Sequence, residues 1–155
     1  MARLKVMVVD DDPVALEIAS AILESQGHEV LGRKTALGTA VAVLRECPDV
    51  VVLDVRMPGI SGRELLKVIR SQDLAHRTQP TAFIFYSGLE RAELERLVEE
   101  TGVLGAVEKA VAPGQLASTL EVLLAQVRPR ERDTAASAAP GTTAPPGPRK
   151  VRQTG

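Results

Sequence analysis

Apolar and polar positions along this chain follow two rhythms. Leu4–Val9, "LKVMVV", is apolar except for Lys5 and predicts a buried strand. Behind it, Ala15, Ile18, Ala19 and Ile22 recur at i, i+3, i+4 and i+7, one face of a helix. Asp12 is placed to cap that helix. Pro13 suits its first turn, where a missing N–H costs nothing, and Gly27 is placed to end it. Glu29–Arg33 predicts a second, weaker strand. Leu37, Ala40, Val41 and Leu44 give a second helical stripe, closed by Pro48. Val50–Val55, "VVVLDV", has the β-branched character of a strand covered on both faces. Ser61–Glu64, "SGRE", is a capping box ahead of Leu65, Val68 and Ile69. Thr81–Ser87 predicts a fourth strand, and Phe83, Phe85 and Tyr86 on it are all the aromatic residues the chain has. The segment "LERAELERLVEETG" predicts a charged helix with Leu94, Leu97 and Val98 inward and Gly102 at its end. Gly105–Glu108 reads as a short fifth strand. Leu116, Leu120, Leu123, Leu124 and Val127 mark a last amphipathic helix.

Five strands alternating with five helices predict an α/β fold, a parallel sheet with helices on both faces. The length suits the flavodoxin-like doubly wound (βα)5 form, with strand order 2-1-3-4-5. Ligands of such sheets bind beyond the carboxyl ends of the strands, where the strand order reverses. Asp10 and Asp11 end the first strand, Asp54 the third and Ser87 the fourth, and Lys109 follows the fifth. All five are expected along one edge of the sheet.

Composition divides the chain in two. Of 19 basic and 20 acidic residues, six and two fall from Arg128 onward, so that segment is about +4 and the remainder about −5. The segment 128–155 is rich in Ala, Pro, Gly, Thr and Arg, with almost no large apolar side chain. It cannot bury enough surface to offset ordering entropy and is expected to be a disordered tail. The globular domain is therefore expected at 1–127. Its acidic balance argues against direct DNA binding. The lone Cys47 cannot form an internal disulfide and suits a reducing compartment. No signal peptide opens the chain and no apolar run approaches the ~18 residues of a membrane helix, so a cytoplasmic location is expected. His28 and His76 fall in turn-like surroundings, are expected at the surface and have no metal-ligand partner at useful spacing.

The candidate chemistry lies in the carboxylates. Three of them from two strand ends would repel one another. A hard divalent cation such as Mg²⁺ removes the conflict, because it prefers oxygen ligands and leaves room for a phosphate oxygen. A lysine and a hydroxyl beside it suit a phosphoryl group, whose transfer needs mainly in-line positioning and charge neutralisation. A carboxylate can itself accept that group as an aspartyl phosphate.

The pieces "VVDDDP", "PDVVVLDVRMPGISG", "IFYSG" and "GVLGAVEKA" occur in this order over residues 1 to about 127. Together they resemble the receiver domain of two-component response regulators, of the stand-alone type. The resemblance implies that Asp10 and Asp11 bind Mg²⁺, that Asp54 is the phosphoacceptor and also binds the metal, and that Arg56 offers the metal its backbone carbonyl. It implies Ser87 as the switch hydroxyl and Lys109 as the partner of the phosphoryl oxygen, while Pro58, Gly59 and Gly62 shape the loop after Asp54. A sensor histidine kinase or phosphotransfer protein would donate the group and a downstream protein would receive the signal. The face of the fourth helix, fifth strand and fifth helix is a frequent dimer surface in that family. The chain would be a phosphoacceptor signalling protein that promotes its own phosphotransfer and dephosphorylation, not an enzyme in the usual sense. Two positions depart from the pattern: Ala106 stands where an aromatic switch is common, and Ala110 where proline follows the lysine. They motivate an alternative, a receiver-shaped adaptor that works without phosphorylation. A third reading, a small-molecule phosphatase with an aspartate nucleophile, lacks the second carboxylate of its "DxD" pair, since the chain reads "DVR" at Asp54.

Overall fold

A computed structural model describes residues 2–76 and 80–130, the side chains of 73–76 excepted. The elements follow in strict alternation: β1 Lys5–Val9, α1 Pro13–Ser25, β2 Glu29–Arg33, α2 Thr39–Glu46, β3 Val50–Leu53, α3 Gly62–His76, β4 Ala82–Ser87, α4 Arg91–Thr101, β5 Gly105–Glu108 and α5 Pro113–Leu124. The five strands pair in parallel in the order β2-β1-β3-β4-β5. The expected flavodoxin-like doubly wound topology is therefore the one observed.

Side-chain alternation along the strands builds two aliphatic layers, one on each side of the sheet. Met7, Val9, Val51, Leu53, Phe83 and Phe85 face one layer, closed by residues of α2, α3 and α4. Val6, Val8, Val50, Val52, Ile84 and Tyr86 face the other, closed by α1 and α5. Each fully buried side chain of this size contributes about 1.5–3 kcal/mol relative to exposure. That strand-by-strand burial makes the register unambiguous, because a slip by one residue would exchange the two faces.

The caps form as the sequence suggests. Asp12 caps α1, its carboxylate accepting from Val14 N–H at 3.0 Å, with Pro13 as first helical residue. Ser61 and Glu64 complete a reciprocal capping box at 3.1 and 3.0 Å. Gly102 ends α4 in the left-handed conformation.

The helix faces are less well anticipated. In α2 the buried residues are Thr39, Ala42 and Val43, whereas Leu37 is 83% exposed and Val41 is also exposed. The predicted stripe is a position out of phase because a polar residue takes an inward place. The Thr39 hydroxyl donates to the Thr35 carbonyl at 2.8 Å and accepts from Arg33 Nε at 2.8 Å, so its burial leaves nothing unpaired. Similarly, Leu16 and Leu23 are buried in α1 where Ile18 is exposed and Ile22 half-buried against the same layer, and Leu66 replaces Val68 in α3.

His28 is buried, not exposed. Its Nδ1 accepts the Leu4 N–H at 3.1 Å where α1 hands over to β2. Burial, followed by the charges of Arg3 and the chain terminus, pushes its pKa down. The side chain of His76 lies outside the described residues, as does 131–155, most of the expected tail. Contact with the body continues past Val127: Arg130 donates its N–H to Asp49 Oδ1 at 2.6 Å, its Nε to the Pro48 carbonyl at 3.0 Å, and Nη2 to Thr81 Oγ1. Asp49 Oδ2 in turn accepts the Lys5 N–H at 2.7 Å, so a buried carboxylate ties three segments at the amino ends of the strands. Among the described residues, no helix is long and apolar enough to cross a membrane.

Candidate functional site

The opposite edge of the sheet carries the candidate chemistry. Asp10 follows β1, Asp54 follows β3, Ser87 closes β4 and Lys109 follows β5. The parallel ladder runs one step beyond the strands: Asp10 N–H bonds the Arg33 carbonyl at 3.0 Å, Asp54 N–H the Val9 carbonyl at 3.0 Å, and Lys109 N–H the Ser87 carbonyl at 2.8 Å. The backbone is thus held by hydrogen bonds up to the residue that bears each functional group.

Lys109 is the hub. Its Nζ lies 2.8 Å from Asp10 Oδ2, 3.1 Å from Asp10 Oδ1 and 3.2 Å from Asp54 Oδ2. The two carboxylates are 1% and 5% exposed, and the lysine side chain 21%. Burial alone would lower the lysine pKa, but the hydrogen bond to Asp10 and the negative charges of Asp54 and Asp10 outweigh it, and the pKa is raised. Asp10 is pushed up, chiefly by burial and further by the charge of Asp54, against the hydrogen bonds from Lys109 and from the backbone of Asp12. Asp54 Oδ1 accepts the Arg56 N–H at 3.3 Å, and Asp10 Oδ1 the Asp12 N–H at 2.9 Å. Of the opening trio, Asp10 is therefore buried and paired, Asp11 is exposed, and Asp12 caps a helix.

Carboxylate oxygens of Asp10, Asp11 and Asp54 all lie within 4.8 Å of one another. Buried Asp10 Oδ2 touches Lys109 yet makes no directed hydrogen bond, leaving lone pairs for another ligand. Oxygens sharing one octahedral Mg²⁺ at 2.0–2.1 Å stand about 3–4 Å apart, so this all-oxygen set fits the ion after a small closure. Arg56 touches Asp54 through its N–H, and its own side chain is exposed. Ser87 is buried, its hydroxyl accepting the Leu89 N–H at 3.3 Å.

Two residues of the site carry roles that sequence reasoning missed. Tyr86 places its ring 5.6 Å beneath Lys109 Nζ, a cation–π contact that steers the ammonium group. Its place next to Ser87 on an aromatic strand is the available signal. Gly62 packs so tightly that a Cβ there would stand 2.2 Å from the Asp54 carbonyl oxygen, while its N–H donates to the Val55 carbonyl at 2.8 Å. Close backbone approach, beyond the shape of the turn, demands this glycine.

Comparison with known proteins decides the family. The family model of the response regulator receiver domain matches residues 6–121. The chain belongs to the response regulator receiver family. The receiver is 31% identical over 149 residues to the positive alginate biosynthesis regulatory protein of Pseudomonas aeruginosa, covering 94% of this chain and 56% of that protein. It is 28% identical over 116 residues to the sensor protein GacS of Pseudomonas syringae, covering 75% of this chain but 13% of that protein. The chain thus spans little more than half of one relative and a small part of the other. Among solved structures it resembles the chemotaxis protein CheY4 of Vibrio cholerae, at 26% identity and a TM-score of 0.68, over 79% of this chain and all of that one. Receiver domains are signalling domains that histidine kinases phosphorylate and that bind Mg²⁺ at an acidic pocket. The Asp10, Asp11 and Asp54 cluster is a set that could hold such an ion.

Proposed function

We propose that this receiver accepts a phosphoryl group on Asp54 from a histidine kinase or phosphotransfer protein, and that its output is binding to a downstream protein. The observation that carries the reading is the convergence of Asp54, Asp10 and Lys109 in one buried contact, with Asp11 adjoining. In the step proposed, an Asp54 carboxylate oxygen forms the new O–P bond as the N–P bond to the donor histidine breaks. The electron pair of that bond stays on the imidazole nitrogen, which takes up a proton.

Asp10, Asp11, Asp54 and the Arg56 carbonyl would hold Mg²⁺, which supplies positive charge against the phosphoryl oxygens when bound. Lys109, already protonated beside Asp54, would move from carboxylate to phosphoryl oxygen. Ser87 would exchange its contact with the Leu89 N–H for one to the phosphoryl group, which couples the modification to the loop after β4. Ala106 brings no ring to relay that motion to the α4–β5 face, so the readout passes through repacking of the nearby loops, and a homodimer through the α4–β5–α5 face is a separate outcome. The domain is taken to include Arg130, with the following residues as tail, and the location to be cytoplasmic.

The test is intact-mass measurement after incubation with Mg²⁺ and acetyl phosphate or a phosphorylated kinase domain. One added phosphoryl group that is absent in Asp54→Asn is the expected result. No mass shift and no beryllofluoride binding would overturn the reading in favour of the phosphorylation-independent adaptor that Ala106 and Ala110 suggest.

A further inference from the structure

A groove of about 810 Å³ runs between α4 and the β5–α5 edge, away from the acidic pocket. Buried Leu94 and half-buried Val98, Ala106 and Val111 form its apolar part, and exposed Glu95 and Glu99 stand on its rim. The rim is electrostatically unbalanced. Arg91 and Glu108 are paired with each other at 3.3 Å. Glu95 and Glu99, one helical turn apart, make no ion pair among the described residues, and Arg96 beside them pairs with neither. Like charges at this spacing destabilise a helix slightly, and a cation across the groove removes the penalty. Residues 90–101 hold five acidic and two basic side chains, so the excess extends along the helix.

One segment of the same chain has the complementary chemistry. Beyond Arg130, Val151 is the only apolar side chain larger than alanine or proline, and Arg149, Lys150 and Arg152 surround it. We propose that Arg149–Arg152 docks in the α4–β5–α5 groove, with Val151 over Ala106 and the flanking cations against Glu95 and Glu99. Reach favours the contact. About 20 residues separate Arg130 from Val151, giving an end-to-end distance of roughly 25 Å for a flexible chain. A domain of this size has a radius of gyration of about 14 Å. A tether of that length holds the segment at millimolar effective concentration, so even a weak contact is populated in cis. The docked segment would cover the face that a downstream protein needs. The inference does not depend on phosphorylation of Asp54.

A spin label at Thr154→Cys in the full chain carrying Cys47→Ser tests it by NMR. The amides of Val98, Gly105 and Ala106 are expected to broaden at least twice as much as those of β2. The difference should vanish in the triple variant Arg149→Glu, Lys150→Glu, Arg152→Glu, and shrink in high salt. An unlabelled triple variant should also shift groove amides relative to the parent while leaving β1–β3 unchanged. Broadening spread evenly over the surface, or focused on the Asp10–Asp11–Asp54 pocket, would overturn the proposal. So would groove shifts that depend on protein concentration and ignore charge reversal, which would assign the groove to a second copy.

Discussion

Among the described glycines the closest approach is that of Gly62, at the start of α3, to the backbone of Asp54, and Gly62→Ala measures it. The added methyl would stand 2.2 Å from the Asp54 carbonyl oxygen, and 3.0 Å from the Asp54 carbonyl carbon and Val55 Cα. All three are backbone atoms, so no side chain can rotate away. The start of α3 must retreat by about 1 Å to restore ordinary contact. Forced overpacking costs about 1–3 kcal/mol, and stretching the Gly62 N–H bond to the Val55 carbonyl about 1 kcal/mol more. Against this, alanine gains up to ~1 kcal/mol over glycine as a helix residue. The balance is a loss of about 1–3 kcal/mol, or a melting temperature lower by roughly 2–12 °C at this chain length. Urea and thermal unfolding of the variant provide the assay. Gly88→Ala is the control, because a Cβ there meets nothing within 4 Å, and it should stay within about 0.5 kcal/mol of the parent. If Gly62→Ala is as stable as Gly88→Ala, the close-approach account of this glycine is wrong.

Lys109→Met strands Asp10 and Asp54 together without their cation; breaking such a buried pair costs about 3–5 kcal/mol. Excess Mg²⁺ should return part of that loss, and urea midpoints unchanged by the ion would contradict the proposed metal set. His28 has a folded-state pKa below its ordinary value of 6.5, so its stabilising contribution is present above pH 6.5 and is lost as pH falls toward the folded pKa. His28→Asn keeps an acceptor for the Leu4 N–H without titrating, and should flatten the fall of the urea midpoint between pH 7 and pH 5; an unchanged slope would exclude His28 as its source. A chain ending at Val127 should be less stable than one ending at Arg130 by about 1–3 kcal/mol, since Asp49 Oδ1 and Thr81 Oγ1 each lose a hydrogen bond from Arg130. Equal midpoints for the two would show the Arg130 contacts to be energetically idle.

Most of what positions the site was legible in the sequence because it depends on short-range rules. An apolar run fixes a strand, and the first polar residue after it lies at the carboxyl end, so Asp10, Asp54 and Ser87 could be placed by counting, and Lys109 one residue beyond Glu108. Asp12, Ser61 and Glu64 were readable because capping is a local contact. What failed depends on partners distant in the chain. The inward place of Thr39 requires Arg33 to supply a donor, so hydrophobicity alone set α2 in the wrong phase. His28 is buried where Leu4, just ahead of β1 and 24 residues earlier, presents an amide to it. Arg130 looks like the start of a polar tail until Asp49, 81 residues earlier, turns out to be its acceptor. The part of Tyr86 in the site was hidden for the same reason, since its cation arrives from the next strand.

The Asp49–Arg130 clasp has a practical corollary. It fastens the outgoing chain at the pole of the sheet opposite Asp54, and the five residue steps from Asp49 to Asp54 span about 17 Å at strand rise. A fluorescent protein, affinity handle or unrelated effector grafted after residue 130 would start on the far side of the molecule from the acidic pocket. Biosensor design can therefore exploit this attachment point while leaving the approach of a phosphodonor unobstructed.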